Sequence, residues 1–286
     1  MFKNWALNEQ SYSGIWLFAE QTILNRRRLL LEGEGNIYGE KYTIVTLKER
    51  PDLEGDLNNL HSIGWTKYMR EDPIAVKYWD KLLSWFPEFQ YILLDEKLNP
   101  VACGNSVPFD WDGNEGSLPT GWDGVFEKGI VDYENNIQPN SLSALAIIIH
   151  PAFRGKGLSK RMVKEMKGLA IKSNFNNMVA PVRPSLKSKY PLIPMEEYIG
   201  WMRDDGTHFD PWIRTHFKIG ASIIKVAETS MVIPATVKDW EKWINMKLPS
   251  SGSYIINEGL VPLELDKDAN KGVYIEPNVW MKHPLV

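Results

Sequence analysis

The chain has 286 residues, 43% hydrophobic and 24% charged, with a net charge of −3 and one cysteine, the profile of an ordinary globular protein with one large domain or two modest ones. No apolar run reaches the about 18–20 residues of a membrane span, and a near-balanced charge gives no general attraction to nucleic acid or anionic membrane. Cys103 alone excludes an internal disulfide. Together with an N-terminus that lacks the order of a secretory signal, this makes a cytoplasmic protein the expectation.

In chain order, Leu7 to Leu31 carries the apolar spacing of a helix and stops in Glu32-Gly-Glu-Gly-Asn. Lys41 to Leu47 is a β-branched strand. Asp56 to Met69 and Ile74 to Trp85 read as two helices divided by Asp72-Pro73. Phe89 to Leu94 and Val101 to Val107 are strands around the turn that ends at Pro100. Residues 109–140 are rich in Gly, Asp, Asn and Trp, and read as a long irregular insertion.

A run from Ser141 to Ile149 then reads as an apolar strand, followed by His150-Pro-Ala-Phe-Arg154-Gly-Lys-Gly157-Leu-Ser159 and a helix from Lys160 to Ala170. Glycines let backbone N–H groups turn toward a ligand without Cβ obstruction. The helix that follows offers unpaired amides and its positive dipole end to an anion. That order suits a pyrophosphate. The third glycine of a dinucleotide fingerprint is missing, and so is the spacing of a P-loop. Seven basic residues against one acid between Arg154 and Lys172 place positive charge beside the turn.

Asn177 to Arg183 is the next strand, and the stretch 184–194 is irregular. Met195 to Met202 reads as a short helix. Asp210-Pro-Trp opens another helix that stops at Gly220, and Ala221 to Ile233 is a long strand. The segment from Trp240 onward, with aromatic and proline-rich turns, reads as an extension packed on the core.

Arg154-Gly-Lys-Gly157-Leu-Ser159, preceded by Ile-Ile-His-Pro, resembles the pyrophosphate motif of the GNAT superfamily of N-acetyltransferases. The order of elements over about residues 41–235 resembles that family's core as well. The resemblance implies an α+β fold, a mixed and mostly antiparallel sheet flanked by helices. It makes 1–40 an N-terminal helical extension, 41–235 the acyltransferase core with its 109–140 insertion, and 236–286 a C-terminal extension. It implies an acyl-CoA co-substrate, acetyl-CoA by default, and acyl transfer to an amine of a small molecule, with no metal, nucleic acid or membrane involved. The residues it assigns to the cofactor are Ile147, Ile148, Ile149, Arg154, Gly155, Lys156, Gly157, Leu158, Ser159 and Lys160. Two alternatives stay open: a non-catalytic acyl-CoA-binding protein of the same fold, and an enzyme of another acyl-CoA reaction class.

Acyl transfer from a thioester needs a polarised carbonyl, a deprotonated amine and a protonated leaving thiolate. Family members place a tyrosine four residues before the helix-ending glycine, where this chain has His216. Its ordinary pKa of about 6.5 makes it a workable acid, or equally a helix C-terminal cation. Thr215 beside it is a lesser candidate. No acid lies on the strand 141–149, and Asp110, Asp112, Asp123, Asp132 and Glu134 read as solvated loop carboxylates. The trio His208, Asp210 and His216 fits no metal-ligand spacing. Tryptophans 65, 79, 85, 111, 122, 201 and 212 imply a partly apolar acceptor pocket beyond their share of the core.

Overall fold

The computed structural model describes residues 42–285. The helix expected over 7–31 and the linker after it lie outside these residues. Strand β1 (Tyr42–Thr46) is followed by helices α1 (Glu54–Gly64) and α2 (Pro73–Trp85), then by β2 (Gln90–Asp95) and β3 (Pro100–Phe109). Helix α1 ends at Gly64, short of the expected Met69, and Asp72 starts α2. Its Oδ1 accepts from the amides of Ile74 and Ala75, and Pro73 fills the first helical position, where no amide hydrogen is needed.

Helix α3 (Trp122–Glu134) corrects the expectation of an irregular insertion. Trp122, Val125, Phe126, Gly129 and Ile130 are buried at helical spacing. Two glycines and a high loop-residue content masked that period.

Strand β4 (Ser141–Ile149), helix α4 (Leu158–Lys172) and strand β5 (Asn177–Val182) follow as expected, then α5 (Met195–Ile199), α6 (Pro211–Phe217) and β6 (Ser222–Ala235). The remaining elements are α7 (Val237–Ile244), β7 (Gly252–Tyr254), β8 (Leu263–Asp266) and β9 (Lys271–His283). The fold is α+β. One mixed sheet runs β1-β2-β3-β4-β5-β9-β8-β7, with β6 paired to the free side of β9.

The C-terminal segment, expected as an extension packed on the core, contributes β9 to the sheet itself. Residues Val279–His283 pair antiparallel with β5, and Gly272–Lys282 pair with β6, so the end of the chain is an interior strand of the sheet. An interior strand needs apolar residues on both faces, and Val279, Trp280 and Met281 are fully buried.

Both faces of the sheet are covered. On β2, Tyr91 and Leu93 pack with Met162 and Val163 of α4, whereas Ile92 and Leu94 pack with Leu57 and Leu60 of α1. Each such side chain contributes about 1.5–3 kcal/mol when fully buried. Gly121, just before α3, lies where a Cβ would stand 2.3 Å from Ser230 of β6, so helix and strand meet backbone to backbone at that point.

Candidate active site

Among the described residues, strands β4 and β5 are the one parallel neighbouring pair of the sheet, and they stay paired only from Ser141–Ser143 against Asn177–Val179. Beyond that rung they diverge, and a cleft of about 730 Å³ opens between them. On its other edge β4 carries a bulge. Asn105 pairs with Ala146 and Ser106 with Ala144, which leaves Leu145 as the extra residue. A bulge takes its extra residue out of the ladder and re-aims the local backbone. The Leu145 carbonyl accepts from the Trp122 indole N–H at 2.8 Å.

At the wide end of the cleft, Gly155 and Gly157 both adopt φ of +76°, a left-handed conformation that side-chain-bearing residues enter at a cost of about 1–2 kcal/mol. The space around each Cβ position is open. Gly157 is the N-cap of α4 and supplies no capping side chain, so the first amides of this 15-residue helix are left for an external anion. Ile147, Ile148, Ile149, Arg154, Gly155, Gly157, Leu158 and Ser159 all line the cleft. Lys156 and Lys160 do not. The Lys156 ammonium rests 4.7 Å above the Phe153 ring.

Helix α6 forms another part of the wall, and both candidates on it line the cleft. Thr215 spends its hydroxyl hydrogen on the Pro211 carbonyl at 2.9 Å. His216 is 2% exposed, and its Nδ1 stands 2.9 Å from Nε2 of His283, itself 1% exposed. Burial and the neighbouring imidazole push His216 down to about 3, and burial and Lys167 push His283 down to about 4. Both rings are neutral at physiological pH. A protonated acid and a helix-terminal cation each require an imidazolium, which desolvation of this site disfavours. His283 carries no local motif, and only the placement of β9 brings it to His216.

The cleft is also lined by Trp65, Met69, Trp122, Met231, Arg183, Ser185, Glu258 and Asn278, with Arg183 directly following β5. Behind Arg183 and Asn278 stands a network that the sequence did not announce. Glu276, fully buried on β9, accepts from Arg183 Nε at 2.8 Å, from the Tyr274 hydroxyl at 2.6 Å and from Asn278 Nδ2 at 3.2 Å. Asn278 Oδ1 accepts from Ser230, whose hydroxyl oxygen accepts from the Trp122 amide, both at 2.7 Å. Arg183 also donates to the Glu258 carbonyl at 2.5 Å. Glu258 is exposed and holds φ of +61°.

Asp123 is the acid whose reading changes most. It is largely buried against Asp72, with its Oδ2 accepting from the Val232 amide at 2.8 Å. Desolvation pushes Asp72 up to about 6, and desolvation and the charge of Asp72 push Asp123 up to about 8. One proton is therefore shared between two carboxyls near neutral pH. Of the other loop acids, Asp132 is also buried and accepts from the Asp110 amide and Lys128, and Glu134 pairs with Lys81.

Among the tryptophans, 65, 122 and 212 line the cleft. Trp79 packs on His61 and Trp65, Trp85 stacks on Tyr133, Trp201 joins Tyr190, Tyr198 and Phe209, and Trp111 is buried. Cys103 is fully buried and its thiol is pushed up to about 12, so it is inert packing.

A sheet split at a bulged strand, with a glycine turn feeding a helix N-terminus at its mouth, defines the acyl-CoA transferase class of folds. The comparisons agree. No family model matches the sequence. The chain is 32% identical over 275 residues to arginine N-acetyltransferase avaD of Aspergillus versicolor, covering 85% of this chain and 94% of that protein. Among solved structures it resembles the loading GNATL domain of CurA from Lyngbya majuscula, with TM-score 0.56 and 18% identity over 86% of this chain and 98% of that one. It also resembles the GphF GNAT-like decarboxylase in complex with isobutyryl-CoA, with TM-score 0.51 and 14% identity over 86% and 100%. At these identities the structural likeness is one of fold. The chain belongs to the GNAT superfamily, among its acetyl-CoA-dependent N-acetyltransferases. Among the described residues, no helix is long and apolar enough to cross a membrane.

Proposed function

We propose that this protein transfers the acetyl group of acetyl-CoA to a nitrogen of arginine or a small molecule built on it. The observation that carries this reading is the 32% identity to an arginine N-acetyltransferase over most of both chains. The charge of the cleft supports it. Glu258 lines the cleft beside Arg183, and behind the wall Glu276 and the shared charge of Asp72 and Asp123 stand against the Lys187 ammonium, a balance that leans negative and suits a cationic acceptor. Trp65 and Trp122 add aromatic surface suited to a guanidinium.

In this reading the amides at Gly155, Gly157, Leu158 and Ser159, with Arg154, hold the pyrophosphate. The pantetheine arm lies along Ile149, Ile148 and Ile147. The four steps from Ile149 to Leu145 cover about 13 Å at about 3.3 Å each, which brings the thioester to the bulge. Lys156 and Lys160 stand outside the cleft, where either can meet the 3′-phosphate. The acceptor nitrogen attacks the thioester carbonyl, the C–N bond forms, and the C–S bond breaks with its electron pair going to sulphur.

The test is incubation of the purified protein with acetyl-CoA and arginine, with lysine and an uncharged amine as comparisons. Thiol release and a product heavier by one acetyl group are expected with arginine or its small derivatives. Release no faster than without acceptor, across that whole set, would remove the assignment.

A further inference from the structure

Among the described residues, two arginines and no lysine line the cleft. Arg154 stands at the glycine turn, where its Nε donates to the Ile149 carbonyl at 3.3 Å. Arg183 directly follows β5 and keeps one nitrogen uncommitted. We propose that Arg183 is a specificity-determining residue whose Nη1 binds a carboxylate or carbonyl oxygen of the acceptor. The proposal rests on the acetyl-transfer reading of the cleft and adds a requirement on the acceptor, an oxygen-bearing carbon besides its basic nitrogen.

A guanidinium holds its N–H donors in one rigid plane. Arg183 commits Nε to the Glu276 carboxylate at 2.8 Å and Nη2 to the Glu258 carbonyl at 2.5 Å. Nη1 meets no acceptor among the described residues. The side chain is 27% exposed and lines the cleft, so this nitrogen is accessible rather than sealed. Its anchor is firm, because Glu276 is fully buried and also accepts from Tyr274 and Asn278. Lys187, the other cation acting on Glu276, is buried with its ammonium spent on the Tyr190 and Leu260 carbonyls. A donor fixed before the ligand arrives loses little freedom on binding.

The sheet separates this group from the helix that the glycine turn feeds. Val279 and Met281 of β9 pack with Tyr198 of α5 and Ile213 of α6, and α4 touches α6 on that side. Side chains alternate along a strand, so Glu276 and Asn278 belong to the opposite face. There Asn278 reaches Trp122 of α3 through Ser230, and Trp122 meets Trp65 at the end of α1. Arg183, bonded to Glu276, works on that α3 face. An attacking nitrogen and a thioester reach one carbon from different sides. A group across the sheet from the pyrophosphate turn is placed for the acceptor.

The chemistry of the pair defines the acceptor more closely than its charge alone. A guanidinium donates to oxygen, most strongly to a carboxylate, and repels a ligand that brings only positive charge. Beside it, Glu258 lines the cleft and holds φ of +61°, the conformation in which its carbonyl accepts from Arg183. A side-chain-bearing residue kept in that region marks a place that the surrounding structure over-determines. One donor for oxygen next to acids for a cation is the pattern that an amino acid or its amide matches at both of its ends.

The test is calorimetric titration of the full chain, loaded with coenzyme A, with arginine, arginine amide and agmatine, which lacks the oxygen-bearing carbon. Arginine or its amide should bind about tenfold to a hundredfold more tightly than agmatine. A preference for arginine over the amide assigns the carboxylate, and equal binding assigns the carbonyl. Agmatine binding as tightly as both would overturn the proposal, and this comparison needs no variant to fold. Arg183→Gln combined with Glu276→Gln removes both charges of the pair together and should abolish the preference. A merely structural role would weaken all three ligands alike and keep the preference, which would also overturn the proposal. Acetylation of agmatine as fast as arginine keeps the transfer assignment and removes the subsite. Absence of acetylation with the binding preference intact falls on the transfer assignment alone.

Discussion

The two ends of the cleft are built by opposite strategies. At the glycine turn, where we propose that the donor binds, one continuous segment from Ser141 to Lys172 supplies strand, turn and helix, and the groups offered to a ligand are backbone amides. Around Arg183, where we propose that the acceptor binds, Arg183, Ser230, Glu276 and Asn278 come from three separate strands or their ends, and they hold one another through a buried polar network. A backbone site tolerates changes of side chain but not of conformation. A side-chain network tolerates conformational change elsewhere but not the loss of a member.

The largest effect that would sharpen this contrast is removal of the network's anion. Glu276→Ala leaves Arg183 without its carboxylate and strips acceptors from Tyr274 and Asn278, for an expected destabilisation of about 3–5 kcal/mol in urea unfolding. A loss below about 1 kcal/mol would mean that the network does not hold the acceptor end together. At the donor end, Gly157→Asp combines left-handed backbone strain with a negative charge where phosphate is to bind. Acetyl-CoA affinity should fall by about a hundredfold or more, or about 2.7 kcal/mol, while circular dichroism stays native. Wild-type affinity in titration calorimetry would take the donor site away from this turn.

The shared proton of Asp72 and Asp123 gives a smaller, pH-dependent signature at the acceptor end. Both carboxyls are held above their usual range, so the folded protein keeps a proton that the unfolded chain releases above about pH 4. This contribution to stability is greatest below that pH and is lost as pH rises through about 6 and then about 8. The Tm should decline over that window, and Asp123→Asn, which resembles the protonated acid, should flatten the decline. An unaltered slope in the variant would show that the pair does not share a proton. Ser230→Ala removes the link between the Trp122 amide and Asn278 and should cost about 1–3 kcal/mol of stability. The smallest effect is expected outside the cleft: Lys156→Ala should weaken acetyl-CoA binding by about 0.2–1 kcal/mol, less than about fivefold.

What could be read in advance follows the same division. The glycine turn, its strand and its helix were legible because local rules specify them: an apolar run, two positive-φ glycines and an uncapped helix start within thirty residues. Helix α3 was missed although its apolar spacing is regular, because Gly124, Gly129 and the surrounding loop residues diluted the signal. Asp123 read as a solvated acid because nothing adjacent in sequence reveals that Asp72 faces it. The alternation from Val273 to Met281 lies in a segment whose aromatic and proline-rich turns read as an extension, yet β9 became an interior strand that carries Glu276, Asn278 and His283.

By itself the sequence determined the fold class, the order of its core elements and the turn suited to a pyrophosphate, since each depends on periodicity and backbone preference over short spans. Tertiary structure alone decided the state of His216 and the character of the acceptor end. Both depend on desolvation and on partners 67 and 93 residues away, His283 for His216 and Glu276 for Arg183, and charge in a folded protein is set by which groups share a water-poor space rather than by which are neighbours along the chain.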